Sequence, residues 1–456
     1  MTADTSAATS VSPSAAQLLR SALLRETIQW CRSSSDFYRE RFAQAGEITD
    51  LSDLVRLPLL SRKDIVDNHE RLRCDEGTPV AIQHTTGTTG AFLQVYRGQA
   101  EQDFVWQFHA AQLQATHPPT SRPMHLVLSN AYHGALTPVP TRAYVMSVGV
   151  HDTAQASQAR QVLDATYELP GVDSRVSVVS GTERMVKALT AYLIDDGFDF
   201  SRSAVRRVDL FGGHVTPRRQ AMLAATWGAT VHNHYSLTEI YGGASEMWAG
   251  GPWIFEPHVI AEAVHPRTHV PVGVGEVGVL VLTSLYPFTQ QMPLVRYLTG
   301  DLVEVVAPPE DPAGIQVRYL GRVPRSIVDD SGDTVRPLLL SGPLYEVVES
   351  LADVAISPRF PDLEVGVGME LTGDHRFAVE HVPADPTAGV AERIVITLGL
   401  RYAPWMYPDR VEEVRRIVAT HLCAAHPELE RRVAEGSLTL LVEALPAADV
   451  APYDSK

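Results

Sequence analysis

The sequence predicts an α/β protein with a large N-terminal domain of mainly parallel sheets flanked by helices, an antiparallel subdomain, and a small α+β C-terminal domain. Three observations lead to this prediction. A chain of 456 residues is too long for one core and implies roughly two or three domains. In its first half, short apolar runs alternate with helix-spaced stretches, which is typical of βαβ units and a parallel sheet. After Trp253 the apolar residues alternate as they do in antiparallel strands.

The individual elements follow from local patterns along the chain. Leucines at helical spacing begin a helix at residue 16 that continues to about residue 45. Ser61, three residues before Asp64, is typical of a helix N-cap. Periodicity predicts further helices over 106–115, 183–195, 218–226, 342–351 and 409–423, and strands over 80–83, 92–96, 125–129, 175–179, 207–211, 230–233, 279–285 and 438–442, with two more near Phe377 and Ile394.

The domain boundary is predicted where the composition shifts, at Arg322. We expect a flexible tail over 1–15, a large domain over 16–321 and a small domain over 322–456. The tail is rich in Ser, Thr and Ala and lacks both basic residues and an apolar core, so it does not look like a signal peptide. The expected compartment is therefore the cytoplasm.

The overall amino-acid composition limits the kinds of molecule that we expect the protein to bind. The formal net charge is -16. This charge argues against a basic surface that binds nucleic acid or an anionic membrane. No apolar run approaches the length of a membrane span. The three cysteines predict neither a disulfide framework nor a zinc site. We expect a small-molecule partner, no nucleic acid and no membrane, and a homodimer is compatible with the sequence.

The most informative stretch is a threonine- and glycine-rich loop between two strand-like runs. It consists of Thr85, Thr86, Gly87, Thr88, Thr89 and Gly90. Glycine permits positive φ, and successive N–H groups in such a turn form an anion-binding concavity to which threonine hydroxyls add donors. This favours a loop that wraps a polyphosphate, whereas the alternative is an ordinary turn. No Lys-Ser or Lys-Thr pair follows Gly90, so the loop is not a Walker motif.

Polar clusters follow three predicted strands, at the positions where ligands bind to parallel sheets. They lie at 130–134, 211–214 and 233–239. By contrast, residues 273–278 spell a dinucleotide-binding fingerprint, but a strand and not a helix follows them. Without a helix start to accept a pyrophosphate, this segment is interpreted as a hairpin turn.

The clusters at 211–214 and 233–239, together with the segment that contains Asp301, provide the residue types that an ATP site needs. Glu239 offers a carboxylate, and Mg²⁺ usually takes one or two carboxylates together with phosphate oxygens. Tyr235 offers a flat face for adenine, and Gly212 and Gly213 offer flat backbone for its other side. Asp301, at a turn, can accept both ribose hydroxyls. Each has an alternative interpretation, as a solvated loop acid, a half-buried core aromatic and a turn acid respectively.

In this order and spacing, the motifs resemble those of the adenylate-forming acyl-activating enzymes, and most closely their phenylacetate–CoA ligase branch. The resemblance extends over nearly the whole chain. Its motifs lie at 37–42, 57–64, 85–90, 211–213, 235–239, 292–301 and 320–322. It implies a large N-terminal domain, a small mobile C-terminal lid and an ATP–Mg²⁺ complex between them. In such a reaction a carboxylate attacks the α-phosphate to give an acyl-adenylate and pyrophosphate, and the protein supplies positioning and charge neutralisation.

The resemblance also assigns roles to individual residues. The loop threonines hold the phosphates, Tyr235 stacks on adenine, and Asp301 and Arg322 hold the ribose. The ATP-binding residues are Thr85, Thr86, Gly87, Thr88, Thr89, Gly90, Gly212, Gly213, His214, Asn233, His234, Tyr235, Ser236, Asp301 and Arg322. The catalytic residues are Lys456, Glu239, which is also the metal ligand, and Thr238.

The chain has only three lysines, and they differ in their expected roles. Lys456 is at the position expected of the family's adenylation lysine. Lys63 is a second candidate for a phosphate contact, although an exposed helix lysine is the simpler interpretation. Lys187, inside a predicted helix, is expected to be a solvated surface residue.

Two departures from the family pattern bear on the second step of the reaction, in which the acyl group is transferred from the adenylate to CoA. Ala91 occupies the position of the family's usual lysine after the loop. Pro324 lies in the hinge segment, where its fixed φ would restrict rotation of the small domain. Transfer to CoA therefore stays open beside three alternatives: amide formation without CoA, activation of nitrite for diazotisation of an aryl amine, and a non-catalytic nucleotide-binding protein.

The acid-binding pocket is expected where the clusters meet. Its predicted substrate-binding residues are Tyr132, His133, His214, Tyr241 and Gly242. Histidine and tyrosine side chains suit a planar aromatic acid with polar substituents. No aspartate occurs in 130–134, which disfavours recognition of an α-ammonium group.

Overall fold

The computed structural model describes residues 14–74, 77–85, 93–115, 117–118, 120–128, 144–240, 243–308, 314–357, 362–363, 373–384, 387 and 390–453. Its α-helices are α1 (Ala15–Ser34), α2 (Asp36–Arg41), α3 (Arg62–Asn68), α4 (Gln99–Ala115), α5 (Thr153–Asp164), α6 (Glu183–Asp195), α7 (Pro217–Trp227), α8 (Ser341–Glu349), α9 (Pro408–Ala425) and α10 (Pro427–Ala434). Short 3-10 helices cover Leu51–Arg56, Phe200–Arg202, Val323–Arg325, Pro404–Met406 and Ala447–Asp449. Among the helices in these ranges, none combines the length and the apolar character that crossing a membrane requires.

The strands are β1 (Ala81–His84), β2 (Gln94–Arg97), β3 (Met124–Leu128), β4 (Tyr144–Val148), β5 (Val178–Thr182), β6 (Arg207–Phe211), β7 (Thr230–Ser236), β8 (Gly243–Glu246), β9 (Trp253–Phe255), β10 (Val259–Val264), β11 (Val277–Ser284), β12 (Tyr297–Ala307), β13 (Gln316–Arg322), β14 (Ile327–Asp329), β15 (Arg336–Leu339), β16 (Ile356–Ser357), β17 (Asp374–His375), β18 (Phe377–Val382), β19 (Glu392–Leu400) and β20 (Leu438–Pro446). A sheet of 11 strands dominates the fold, in the order β10-β11-β12-β13-β9-β8-β7-β6-β5-β3-β4.

This sheet has a parallel half and an antiparallel half. Strands β3 to β7 pair in parallel, and their crossover helices α6 and α7 pack onto them, as right-handed βαβ units require. From β7 to β13 and on to β10 every pairing is antiparallel. The predicted α/β fold class is therefore confirmed, with the antiparallel part continuous with the parallel one.

A separate core lies in the last third of the chain. Strand β19 pairs with β18 in antiparallel and with β20 in parallel. Buried apolar residues of α8 and α9, such as Val348 and Val414, pack against this sheet through Ile394 and Ile396. This segment therefore buries its own apolar surface, while α1 and α2 pack against the antiparallel half of the large sheet.

A buried ion pair joins the two parts. Nε of Arg219 on α7 lies 2.6 Å from Oε1 of Glu349 on α8, and both side chains are buried. The hydroxyl of Thr216, the N-cap of α7, donates to the other oxygen of Glu349. The carboxylate at the end of α8 is thus held by two donors at the start of α7.

Several local predictions are confirmed. Ser61 and Asp64 form a capping box at the start of α3. Residues 273–276 form a turn that leads directly into β11, so the fingerprint-like segment binds no pyrophosphate at a helix start. Helices α5 and α10 and strand β4 were not predicted; α5 is largely polar, and α10 begins at Pro427 directly after α9 ends.

Some local predictions are wrong. The helix predicted from residue 16 to about residue 45 is divided at Ser35 into α1 and α2 and ends at Arg41. The strand predicted over 230–233 extends to Ser236, because residues 234–236 pair with β8 in a hairpin. Lys187 is not a solvated surface residue: it is 1% exposed, and its Nζ lies 2.9 Å from Oε2 of Glu183, one helical turn earlier. The sequence pattern did not reveal this, since a lysine in an amphipathic helix is usually exposed.

Candidate functional site

The best-defined part of the site is a carboxylate at the junction of β12 and β13. Asp301 in β12 faces Arg322, the last residue of β13. Nη1 of Arg322 lies 3.1 Å from Oδ1 of Asp301, and the hydroxyl of Tyr235 donates to Oδ2 at 2.6 Å. Gly300 adopts φ 77°, a conformation that favours glycine, and thereby bends β12 beside the pair. The antiparallel pairing of β12 with β13 places Asp301 opposite Arg322. The side-chain hydrogen bond from Tyr235 on β7 adds the third predicted residue.

Burial sets the protonation states of this cluster. Burial raises the pKa of Asp301, and the Arg322 guanidinium and the Tyr235 hydroxyl offset part of that rise. Burial, together with the adjacent Asp301, raises the pKa of Tyr235 well above its usual range. The phenol therefore stays protonated and donates. A carboxylate whose two oxygens each accept from one group can exchange these donors for a pair of ligand hydroxyls.

A second carboxylate, that of Glu239, is linked through Arg62 to Thr85, the first residue of the predicted threonine loop. The hydroxyl of Tyr297 donates to Oε1 of Glu239 at 2.9 Å, and Nη1 of Arg62 lies 3.5 Å from the same oxygen. The side chain is mostly buried. Within the described residues, Oε2 makes no hydrogen bond, so one oxygen of this carboxylate remains for a cation. A single carboxylate is the protein share that Mg²⁺ commonly uses beside phosphate oxygens.

No group of three or more His, Cys, Asp or Glu that could hold a metal occurs in the part of the chain that the structure describes. A Mg²⁺ site here would therefore depend on Glu239 and on oxygens brought by the ligand. Its fit with Mg²⁺ rests on the hard carboxylate oxygen that Glu239 offers.

Arg62 is a residue of the site that the sequence reasoning missed. Nη2 of Arg62 donates to Oγ1 of Thr85 at 2.8 Å, so this guanidinium connects the first loop threonine to Glu239. The 57–64 segment did point to this region, but Lys63 was the residue considered. Lys63 is instead exposed and forms an ion pair with Asp67. Arg62 directly follows the N-cap Ser61, so it is the first residue of α3 and its position is fixed by the capped helix end. This place in the sequence was the signal that could have identified Arg62.

A cavity opens beside the Asp301 cluster, between the large sheet and the last third of the chain. It is lined by His214, Tyr319, Gly321, Arg322, Arg325, Ser341, Gly342, Tyr345 and Tyr453. The His214 ring lies 5.5 Å from that of Tyr319, which is itself 6.5 Å from Tyr235. Burial lowers the pKa of His214, so its imidazole is neutral. Tyr319 was not predicted; it stands directly before the predicted motif at 320–322.

Two glycines shape the wall next to this cavity. Gly212 follows β6 with φ 76°, and a Cβ on Gly213 would overlap the Glu183 side chain. The backbone of 212–213 therefore approaches the buried Glu183–Lys187 pair as closely as only glycine allows. The role of these two glycines beside adenine stays a prediction.

Residues 233–236, which were predicted to bind ATP, continue β7 and alternate between its two faces. Tyr235 reaches Asp301, but His234 points to the other face, where its Nε2 lies 3.1 Å from Oδ1 of Asp209. Asn233 is buried, and Ser236 is exposed. The structure does not bring His234 to the cluster that contains Asp301.

The remaining predicted residues lie partly outside the described residues. Thr238 is described: its main-chain oxygen accepts from Arg97 at 2.8 Å. Those outside the described residues are Thr86, Gly87, Thr88, Thr89, Gly90, Tyr132, His133, Tyr241, Gly242 and Lys456.

Comparison with known sequences points to one group of proteins. No family model matches the chain. The phenylacetate-coenzyme A ligase of Escherichia coli (strain K12) is 26% identical over 313 residues, which cover 64% of this chain and 67% of that protein. The phenylacetate-coenzyme A ligase of Thermus thermophilus is 28% identical over 294 residues, which cover 61% of this chain and 63% of that protein. The matches thus span about two thirds of these relatives.

Solved structures resemble the fold over a larger part of the chain. An open conformation of 2-hydroxyisobutyryl-CoA ligase, in complex with 2-HIB-AMP and CoA, aligns with a TM-score of 0.68 over 96% of this chain and 90% of that one, at 13% identity. The same ligase in the postadenylation state aligns with a TM-score of 0.66 over 98% and 89%, at 15% identity. At this identity the likeness concerns the fold alone.

Proposed function

Because the chain is a relative of the phenylacetate–CoA ligases, we propose that it is an ATP-dependent, adenylate-forming ligase. It activates a small aromatic carboxylic acid as the acyl-adenylate, releases pyrophosphate and passes the acyl group to CoA. The observation that carries this proposal is the convergence of Tyr235, Asp301 and Arg322 beside the cavity. These side chains come from three strands, and the resemblance assigns Asp301 and Arg322 to the ribose and Tyr235 to adenine.

The nucleoside part of ATP would bind at this cluster. Asp301 accepts hydrogen bonds from the two ribose hydroxyls, and Arg322 stays beside it as a charge partner. Adenine lies in the cavity against the rings of Tyr235 and Tyr319 and the backbone of Gly212 and Gly213. A neutral His214 at the cavity wall avoids placing a second buried charge next to the base.

The triphosphate would extend toward Glu239 and the threonine loop. Thr86, Thr88 and Thr89 hold its oxygens, as the resemblance implies, while Arg62 supplies a positive charge between Thr85 and Glu239. Mg²⁺, when bound, would neutralise charge on the phosphates. Glu239 would offer it Oε2, while Tyr297 fixes the position of Oε1.

In the reaction, a carboxylate oxygen of the acid attacks the α-phosphorus, and the bond to the pyrophosphate oxygen breaks. Such a step depends on in-line positioning and on stabilising charge on the phosphoryl oxygens. The residue proposed to add a positive charge here is Lys456. Tyr453 lines the cavity, and three further residues can extend the chain by about 10 Å. The acid would bind near His214, with Tyr132, His133, Tyr241 and Gly242 as the proposed contacts.

The domain division and the acceptor belong to the same proposal. We place the boundary at Arg322, with 16–321 as the large domain and 322–456 as the lid. Pro324 lies in the 3-10 helix Val323–Arg325 directly after β13. If rotation pivots at this helix, Pro324 limits it, and an amine acceptor without CoA becomes the second candidate. Nitrite activation for diazotisation is the third.

Pyrophosphate release tests the proposal. The purified chain is mixed with ATP, Mg²⁺ and a panel of aryl acids, and the adenylate is identified by its mass. CoA, an amine or nitrite is then added in turn, and the product identifies the acceptor. Pyrophosphate release that depends on an aryl acid supports the ligase; ATP binding without release with any acid or with nitrite would indicate a non-catalytic nucleotide-binding protein.

A further inference from the structure

Arg97, the last residue of β2, links two distant parts of the chain from a fully buried position. It is 0% exposed. Its Nη2 donates to the main-chain oxygens of Thr238 at 2.8 Å and Glu239 at 2.9 Å. Its Nε donates to Oε1 of Gln83 in β1 at 3.2 Å. A buried guanidinium with three such hydrogen bonds fixes the segments that carry their acceptors.

These segments carry the two halves of the proposed phosphate site. Strands β1 and β2 pair with Ala81 opposite Arg97 and His84 opposite Gln94, and the chain between them contains the threonine loop. Thr238 and Glu239 lie in the connection between β7 and β8. One side chain therefore joins the base of the loop hairpin to the backbone of the metal-binding turn.

The chemistry of arginine suits this role. A guanidinium presents five N–H donors in a rigid plane and accepts nothing, so one terminal nitrogen can serve two consecutive carbonyls while Nε serves a third group. A lysine ammonium on a flexible stem does not reproduce that plane. The backbone of Glu239 is thus held by Arg97, and its carboxylate is held separately by Tyr297 and Arg62.

We propose that Arg97 is a positioning residue that fixes the β1–β2 hairpin, through Gln83, relative to the backbone of Glu239, and thereby sets the Mg²⁺-dependent affinity for ATP. This inference rests on the proposed function. Arg97 acts through the Glu239 backbone and touches neither nucleotide nor acid. Ligands that lack the β- and γ-phosphates should therefore bind independently of it.

The test compares Arg97→Lys with the wild type in titrations with ATP at several Mg²⁺ concentrations and with AMP. Loss of a group that orients a metal ligand typically costs 10- to 100-fold, so the Mg²⁺-dependent gain in ATP affinity should fall by roughly that factor. AMP affinity should change by less than about twofold, because the Asp301 cluster is untouched. An unchanged Mg²⁺ dependence in a folded variant, or an equal loss of AMP binding, overturns the inference.

Arg175→Lys is the matched control. Arg175 also donates to two main-chain oxygens, those of Arg202 at 2.7 Å and Leu163 at 3.3 Å, and neither belongs to the site. Arg175→Lys should lose hydrogen bonds comparable to those lost in Arg97→Lys. Its ATP affinity should nevertheless keep the wild-type dependence on Mg²⁺. A shift in this control equal to that of Arg97→Lys would show general loosening and overturn the inference.

Gln83→Leu decides the question if Arg97→Lys does not fold. It keeps the buried guanidinium and removes the partner of Nε, so the Mg²⁺-dependent affinity should fall by roughly three- to tenfold. No fall overturns the inference. A wild-type chain that binds ATP but releases no pyrophosphate refutes only the ligase proposal, since the binding titrations still test Arg97. A wild type that binds no ATP refutes both.

Discussion

The hydroxyl of Tyr235 and the carboxylate of Asp301 are joined by a hydrogen bond of 2.6 Å, although 66 residues separate them in the chain. Arg322 contacts the other oxygen of the same carboxylate. The cluster is thus complete in the protein itself, and a ribose bound as proposed would replace the Tyr235 hydroxyl while Arg322 stays beside Asp301. Affinity then depends on the charge of Asp301 more than on the Tyr235 hydroxyl.

This difference predicts the effects of two substitutions on nucleotide binding. Asp301→Asn removes the charge and should weaken AMP binding by roughly 10- to 100-fold, the equivalent of one hydrogen bond to a charged group. Tyr235→Phe keeps the ring and should weaken it by less than about tenfold. Calorimetric titration measures both. Wild-type affinity in Asp301→Asn would remove Asp301 from the ribose site.

Glu239→Gln removes the negative charge of the Glu239 side chain while keeping its size and shape. Glutamine still accepts from Tyr297 but offers Mg²⁺ no anionic oxygen, so pyrophosphate release at saturating ATP should fall by roughly 100-fold. AMP binding, which needs no metal, should stay close to wild type. Release rates against Mg²⁺ concentration provide the measurement, and undiminished release would show that another residue holds the metal.

Lys456→Ala tests the residue proposed to act on the α-phosphate. Because a positive charge that stabilises only the transition state affects rate and not binding, pyrophosphate release should slow by roughly 100-fold or more while the KM for ATP changes little. Lys63→Ala is the control, since Lys63 is exposed and paired with Asp67. If the two variants behave alike, Lys456 has no catalytic role.

The Arg219–Glu349 pair should stabilise the contact between the two parts of the chain. Removing one partner of a buried pair leaves an uncompensated charge, so Glu349→Ala should lower the free energy of unfolding by roughly 3–5 kcal/mol. The control is Glu412→Ala in the exposed pair with Arg415, which should change it by less than about 0.5 kcal/mol. Urea unfolding of both variants checks the prediction, and equal effects would contradict it.

His125 should contribute a measurable pH dependence of stability. Burial lowers its pKa to about 4, with Asp209 raising it and Arg207 lowering it further. Between about pH 6.5 and 4 only the unfolded chain takes up this proton, so the free energy of unfolding falls as the pH falls. The full loss from this group is about 3 kcal/mol, and none of it occurs above pH 6.5.

His125→Gln should therefore unfold with a shallower pH dependence than the wild type across that window. Thermal or urea unfolding at pH 7, 6 and 5 measures the slope. The side chain also contacts Ser180 at 2.7 Å, and Gln can maintain a hydrogen bond there. Identical slopes in the two proteins would place the pKa of His125 near its ordinary value in the folded state.

The sequence was sufficient for the fold class, and the roles of the motif residues stay predictions. Asp301 and Arg322 could be paired only through the resemblance, yet the antiparallel register of β12 and β13 places them opposite each other. Tyr235 contacts Asp301 whereas His234 next to it contacts Asp209, a difference that the motif does not show, because side chains alternate along a strand.

The contacts that the sequence did not predict depend on long-range packing. Arg97 and Arg62 reach Thr238 and Glu239 from segments more than 140 residues earlier, and no local pattern marks a buried arginine as different from an exposed one. The same holds for Lys187, whose burial depends on the helix packing under Gly213. Charged residues in such places can be identified only when the partner strands are known.

The central claim is that this chain joins an acid to the α-phosphate of ATP, and an oxygen-labelling experiment tests it most directly. An accepted aryl acid carrying ¹⁸O in its carboxylate is incubated with the chain, ATP and Mg²⁺, an acceptor is added, and the AMP is analysed by mass spectrometry. Attack of the carboxylate on the α-phosphorus predicts that one ¹⁸O is transferred to AMP when the acyl group leaves. Unlabelled AMP, or ADP as the only nucleotide product, would contradict the claim.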